Sequence, residues 1–278
     1  MALVRIDHVP ESIGVNLPLN VILPDPGKMG EVPVAKRKVL YLLHGLSDDA
    51  SAWQRYTSIE TLAAAYGLVV VMPSAGRSFY TDQPNGQKYF TYLTGELPRY
   101  LADVFNLKPR REDTFIAGNS MGGYGAFKAA LLHPELYAAA ASLSGVLAIA
   151  VLSLIPHTDP RREEFALLFG DLEKLVGSQH DPAVWLEGAA KDPSRLPRLF
   201  ISVSRQEDIY PLSGMFHSAC ESAGVQSEYR EEDGAHDWFF WARQIRLFLA
   251  SVLGPSAAPH PSPSGSGRGE ESGAVSFV

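Results

Sequence analysis

The chain has 278 residues, 46% hydrophobic and 20% charged, the profile of a folded globular protein and not of a disordered or fibrous one. Its 31 acidic and 24 basic residues give a net charge of -7, and no Lys/Arg cluster forms a polyanion-binding patch, so nucleic acid is excluded as an expected partner. Cys220, the sole cysteine, rules out an intrachain disulfide and a cysteine-based metal centre.

The opening MALVRIDHVPES lacks an apolar core of signal-peptide length, which makes a cytoplasmic location the default expectation. Residues 15–24, VNLPLNVILP, alternate like a strand, and 38–44, KVLYLLH, form a short apolar run suited to a strand buried on both faces. IETLAAAYG (59–67) predicts a helix stopped by Gly67, and LVVVMPS (68–74) the next buried strand. ELPRYLADVF (96–105) is a helix, and DTFIAGNS (113–120) a strand running into a cluster of glycines. GYGAFKAALL (123–132) reads as helix and YAAAASLS (137–144) as strand. RLFISVS (198–204, strand), GMFHSACESAG (214–224, helix), SEYREE (227–232, strand) and DWFFWARQIRLFLASVL (237–253, helix) follow. Such alternation predicts an α/β protein with a mainly parallel sheet and helices on both faces. The first strands lack intervening helices and are expected to form an antiparallel edge.

Residues 146–196 break this rhythm and are expected to form a small cap over the strand ends, where ligands bind in such folds. Residues 1–254 thus read as one domain. The Pro/Ser/Gly-rich stretch 255–278 reads as a disordered tail, because it cannot bury enough apolar surface to offset ordering. The uncharged run 137–155 is as long as a membrane span, but its alanines, Ser142, Ser144 and Gly145 favour a buried strand and an apolar surface segment; no membrane partner is expected.

IAGNSMGGYGA (116–126) carries the chemistry. A G-x-S-x-G between a strand and a helix is a nucleophile elbow, in which a strained turn lifts the serine hydroxyl above the sheet edge. Strand and helix then approach so closely that positions 118 and 122 have no room for a Cβ. A phosphate loop lacks its Gly-Lys-Ser/Thr ending here, and the glycine spacing does not match a dinucleotide fingerprint. Ser120 therefore calls for a base and an acid, in the order Ser, acid, His. His236 lies on a glycine-bearing loop between the last strand and the last helix, where the base belongs. His157 and His180 fall in the cap, His217 within a helix, and His133 at the end of the elbow helix. The acid belongs just past the preceding strand, where SRQEDIY offers two; Asp208 is the expected acid and Glu207 the alternative. Oxyanion donors are expected from the Met121 N–H, which follows the nucleophile, and from the Leu46 N–H after the strand ending at His44, with Gly45 the alternative. His44 is expected to position that loop. Trp53 and the aromatic stretch 77–93 are expected to contribute to the pocket.

Together, SIGVNLPLNVILPDP, LYLLHGLSDDASAW, GRSFYTD, NGQKYFTYLTGELPRYL, IAGNSMGGYGAFKAAL, SRQEDIY and GAHDWFFW resemble the esterase D branch of the α/β-hydrolases, in particular its small tributyrin-esterase-like carboxylesterases. The likeness spans residues 1–253. It implies the α/β-hydrolase fold, a Ser120–Asp208–His236 triad, an oxyanion hole at Leu46 and Met121, small esters with short acyl chains as substrate, and no cofactor or metal. Related branches cleave S-formylglutathione, release acetyl or feruloyl groups from plant polysaccharides, or transfer mycolyl chains. A hydrolase-fold protein that only binds partners generally lacks a triad member, whereas this chain has a candidate for each. A homo-oligomer is left open.

Overall fold

The computed structural model describes residues 1–25, 33–84 and 86–255. Strands β1 (Ala2–His8), β2 (Leu17–Leu23), β3 (Val39–Leu43), β4 (Val69–Pro73), β5 (Thr114–Asn119), β6 (Ala139–Leu143), β7 (Arg198–Ser204) and β8 (Ser227–Glu232) make one sheet in the spatial order β1-β2-β4-β3-β5-β6-β7-β8. β1 and β2 pair antiparallel, β2 runs antiparallel to β4, and every later pairing is parallel. The expected antiparallel edge is present. It includes β1, which the sequence reading did not assign: ALVRIDH alternates with charges and is only half covered, so its apolar signal is weak.

The helices are α1 (Ala52–Tyr56), α2 (Ile59–Tyr66), α3 (Tyr89–Thr91), α4 (Leu97–Phe105), α5 (Met121–Leu132), α6 (Arg161–Phe169), α7 (Pro182–Ala189), α8 (Tyr210–Ser222) and α9 (Trp238–Leu253). A π-helical turn, Tyr92–Glu96, leads into α4. Gly67 stops α2 in the left-handed conformation (φ 61°), as its position predicts. The two-residue period of β3 divides its side chains between two apolar layers. Leu40 and Leu42 pack with Ile59, Leu62, Phe240, Ile245 and Phe248 from α2 and α9, while Val39, Tyr41 and Leu43 join the layer holding Leu97, Leu101 and Phe127 from α4 and α5. This is the α/β-hydrolase fold.

Segment 146–196 carries a 3-10 stretch (Ile149–Leu154), α6 and α7, and sends Phe165, Phe169, Trp185 and Leu186 into the same apolar layer as Phe79 and Tyr124. The run 137–155 divides into β6 and that 3-10 stretch, and among the described residues no helix is long and apolar enough to cross a membrane. Beyond Pro255 the expected tail lies outside the described residues.

The ladder of the sheet continues past the strand ends. Ser120 N donates to Leu143 O (2.9 Å), Ser144 N to Ser202 O (2.7 Å) and Arg205 N to Glu232 O (3.0 Å). The last residues of β5, β6, β7 and β8 are thereby held in step at one rim.

Candidate active site

β5 ends in Asn119, and the chain turns at Ser120 with φ 51° and ψ -117° before α5 begins. A positive φ is uncommon for a residue with a Cβ and costs of order 1–3 kcal/mol, so the surrounding packing must enforce it. That packing is visible at the neighbouring glycines. A Cβ on Gly118 would run into the backbone of Gly122, and one on Gly122 would come within 2.5 Å of the Leu43 carbonyl oxygen. The glycines give the clearance that the elbow needs.

The turn brings Ser120 under the loop that follows β8. His236 Nε2 lies 3.0 Å from Ser120 Oγ, and His236 Nδ1 lies 2.6 Å from Glu207 Oε2. A carboxylate can only accept at Nδ1, so the Nδ1–H donates to it and Nε2 is free to accept the serine proton. The imidazole is about two-fifths exposed, whereas the Glu207 side chain is 1% exposed. Ser120 and His236 are thus brought together.

Asp208 is not. It stands exposed on the turn after β7, and the adjacent Glu207 fills the place expected for it. The turn folds back on the strand it leaves: Ser204 N donates to Glu207 Oε1 at 2.8 Å, which draws this side chain inward and turns Asp208 to solvent. The chain thus places the glutamate carboxylate against the imidazole, and the aspartate expectation is corrected.

Two further residues, not singled out from the sequence, complete the line. Ser144, just past β6 with φ 52°, donates its hydroxyl to Glu207 Oε1 (2.6 Å) and accepts from Trp241 Nε1 (3.1 Å). Trp241 also presents its ring edge-on to His236, with centroids 5.0 Å apart. One Glu207 oxygen thus accepts from Ser204 N and Ser144 Oγ, and the other accepts from the imidazole. Ser144 stands one residue beyond β6, the neighbour of the elbow strand, a placement that does not by itself announce its contact with Glu207. Gln206 and Arg205 tie the same turn to the histidine loop: Gly234 N donates to Gln206 Oε1 (2.7 Å), and Arg205 Nη1 bonds Asp233 (3.0 Å).

The expected oxyanion donors sit on elements packed against the elbow. Met121 opens α5, where the first N–H groups have no intrahelical acceptor. The Leu43 and His44 carbonyls press on Gly122, which sets the loop bearing Gly45 and Leu46 against the start of α5. His44 holds that loop: its Nδ1–H donates to Gly45 O (2.7 Å) and its Nε2 accepts from Ala75 N (2.9 Å). Burial holds its pKa below the ordinary imidazole value, in keeping with a neutral ring. Trp53, expected near the pocket, is instead 1% exposed in the core, where its Nε1 supports the end of β3 through Leu43 O (2.9 Å).

An elbow serine, a histidine after the last strand and a buried carboxylate after β7, on this sheet, define a hydrolase of the α/β class. The comparisons with known proteins narrow it further. A family model described as "Putative esterase" matches residues 11–250, and the chain belongs to that family. It is 29% identical over 255 residues to an acetyl esterase of Caldicellulosiruptor saccharolyticus, an alignment covering 88% of this chain and 96% of the relative. Of solved structures, FphF, a fluorophosphonate-binding serine hydrolase of Staphylococcus aureus, superposes with a TM-score of 0.82 at 31% identity, covering 91% of this chain and 98% of that one. The S-formylglutathione hydrolase FrmB of the same organism gives 0.80 at 32% identity, with the same coverage. The chain is a carboxylic ester hydrolase, a serine esterase of the α/β-hydrolase fold.

Proposed function

We propose that the protein hydrolyses small carboxylic esters with short acyl chains through an acyl-enzyme on Ser120. In this reading Ser120 Oγ attacks the ester carbonyl as His236 Nε2 takes its proton. Glu207 keeps the proton on Nδ1 and stabilises the imidazolium that forms. The Met121 and Leu46 N–H groups stabilise the oxyanion, each worth about 3 kcal/mol in sites of this kind. His236 then protonates the departing alcohol, and water activated by the same ring frees the acid. The unbroken hydrogen-bonded line Ser120–His236–Glu207–Ser144 carries this reading.

We further assign the chain to the esterase D branch, beside its tributyrin-esterase-like members, with segment 146–196 as the cap that shapes the acyl pocket. Replacing Ser120 by alanine should abolish p-nitrophenyl acetate hydrolysis and labelling by a fluorophosphonate; a variant as fast as the parent would refute the assignment. An ester panel graded by acyl length, with acetyl-sugar and feruloyl members, should show highest kcat/KM for acyl groups of two to about four carbons, the size class expected of this branch. The second reading, hydrolysis of S-formylglutathione, draws on the likeness to the staphylococcal enzyme of that name. It is favoured instead if this thioester is turned over faster than any oxygen ester of the panel.

A further inference from the structure

We infer that a cavity near the C-terminal end of α5 is a binding site for a small organic monocarboxylate, held by the Lys128 ammonium with its apolar body against Phe90, Val184 and Trp185. The site is separate from the chemistry at Ser120. Lys128 lies eight residues further along the chain, about 12 Å at the rise of a helix. Buried Tyr124 stands on the helix between the two, its hydroxyl bonded to His180 O at 2.9 Å.

The cavity has a volume of about 740 Å³ and is walled by Phe90, Leu131, Val184 and Trp185, with Thr81 and His180 beside Lys128. Lys128 is 5% exposed. An ammonium carries three donors, and among the described residues this one has a single hydrogen-bond acceptor, Thr81 Oγ1 at 2.5 Å. Phe90 and Trp185 lie 4.6 Å and 6.0 Å from it, with their ring faces towards the charge. Among the described residues no carboxylate lies within ion-pairing distance of Lys128. The nearby Asp82 carboxylate accepts instead from Thr91 N and Oγ1 (2.9 and 2.7 Å). His180 adds no second positive charge beside Lys128, since burial and the lysine charge push its pKa down to about 4 and leave the ring neutral. A buried cation without an anion is costly, and Lys and Arg are almost never fully buried unpaired. Here the missing partner has a cavity to occupy.

The rest of the lining selects its chemistry. Asp82, Glu135 and Asp192 also line the cavity, beside Lys191 and Arg195, and these carboxylates repel a dianion more strongly than a singly charged ligand. The apolar walls suit a hydrocarbon body more than a hydrated inorganic ion.

The test uses full-length protein whose Ser120 has been capped with a fluorophosphonate, so that binding at the catalytic rim is removed. Titrated calorimetrically, benzoate should bind saturably, and uncharged benzamide and inorganic phosphate at least about tenfold more weakly, a factor worth about 1.4 kcal/mol. Lys128→Met should weaken benzoate by about tenfold or more and leave ester hydrolysis by uncapped protein near the parent rate. A second variant leaves the lysine in place. Gly188, on α7, lines the cavity, and a Cβ there meets nothing within 4 Å, so Gly188→Phe should fill the space and abolish binding. The inference is overturned if benzoate binds no better than benzamide, if phosphate binds best, or if Gly188→Phe binds like the parent.

Discussion

At the start of α5, Ser120, His236, Glu207 and Ser144 pass hydrogen bonds along a line in which the buried carboxylate has a donor on each oxygen. Eight residues on, Lys128 is as deeply buried, yet it meets one neutral hydroxyl and two aromatic faces. One end of α5 thus lies beside a buried negative charge that has its partners built in, and further along the helix carries a buried positive charge without them. Burial depth alone does not distinguish the two; the number of polar partners within reach does, because that number decides whether the desolvation cost is recovered.

The comparison is broken most severely at the carboxylate. Glu207→Gln should cut kcat for a p-nitrophenyl ester by roughly 10³- to 10⁴-fold, as loss of the orienting acid does in serine hydrolases. Asp208→Asn, one residue on, should stay within about twofold, since an exposed side chain away from the imidazole contributes little. The reverse result would return the acid to position 208.

At the other end, the pKa of Lys128 is lowered by burial from its ordinary 10.5 to about 8, with Asp82 opposing the shift. Between these two values the unfolded chain binds the extra proton, so stability contributed by this group rises with pH across about 8 to 10.5 and is flat below. The full difference is worth roughly 3 kcal/mol. Lys128→Met should therefore be more stable than the parent near pH 7 and lose that advantage as pH is raised, as read by urea unfolding at several pH values.

Packing offers a third contrast. Gly122→Ala puts a Cβ against two carbonyls and should cost about 2–3 kcal/mol of unfolding free energy. Gly188→Ala faces open space in a helix and should gain about 0.5 kcal/mol. A catalytic effect smaller than that at Glu207 is expected at Ser144. Ser144→Ala should lower kcat about tenfold with little change in KM, near the 1.4 kcal/mol of one charge-assisted hydrogen bond. Ser144→Gly should lose the same activity while relieving the positive φ, which separates the hydroxyl's role from a structural one.

The helices and strands that hold Ser120 and His236 were legible because each is announced locally, by glycines that a close turn requires and by a loop between strand-like and helix-like periods. The acid was legible only as a pair of neighbours. Choosing between Glu207 and Asp208 depends on how one turn folds back onto Ser204 N, a contact with no periodic signature. Ser144, Trp241 and Lys128 were unreadable for a related reason. Their roles come from partners 63, 97 and 47 positions away, which only the folded sheet brings near. β1 escaped because it is half exposed, and strand patterns are read from burial.

The stepped bonds beyond the strand ends bear on how such a protein can diversify. Segment 146–196 departs after Ser144 and returns at β7, neighbours already fixed in register by the sheet. Closing a longer or shorter excursion between two anchored points changes the chain entropy slowly, about 0.6 kcal/mol per doubling of length. New material can therefore be inserted there while the spacing of the groups at the rim stays as the backbone sets it.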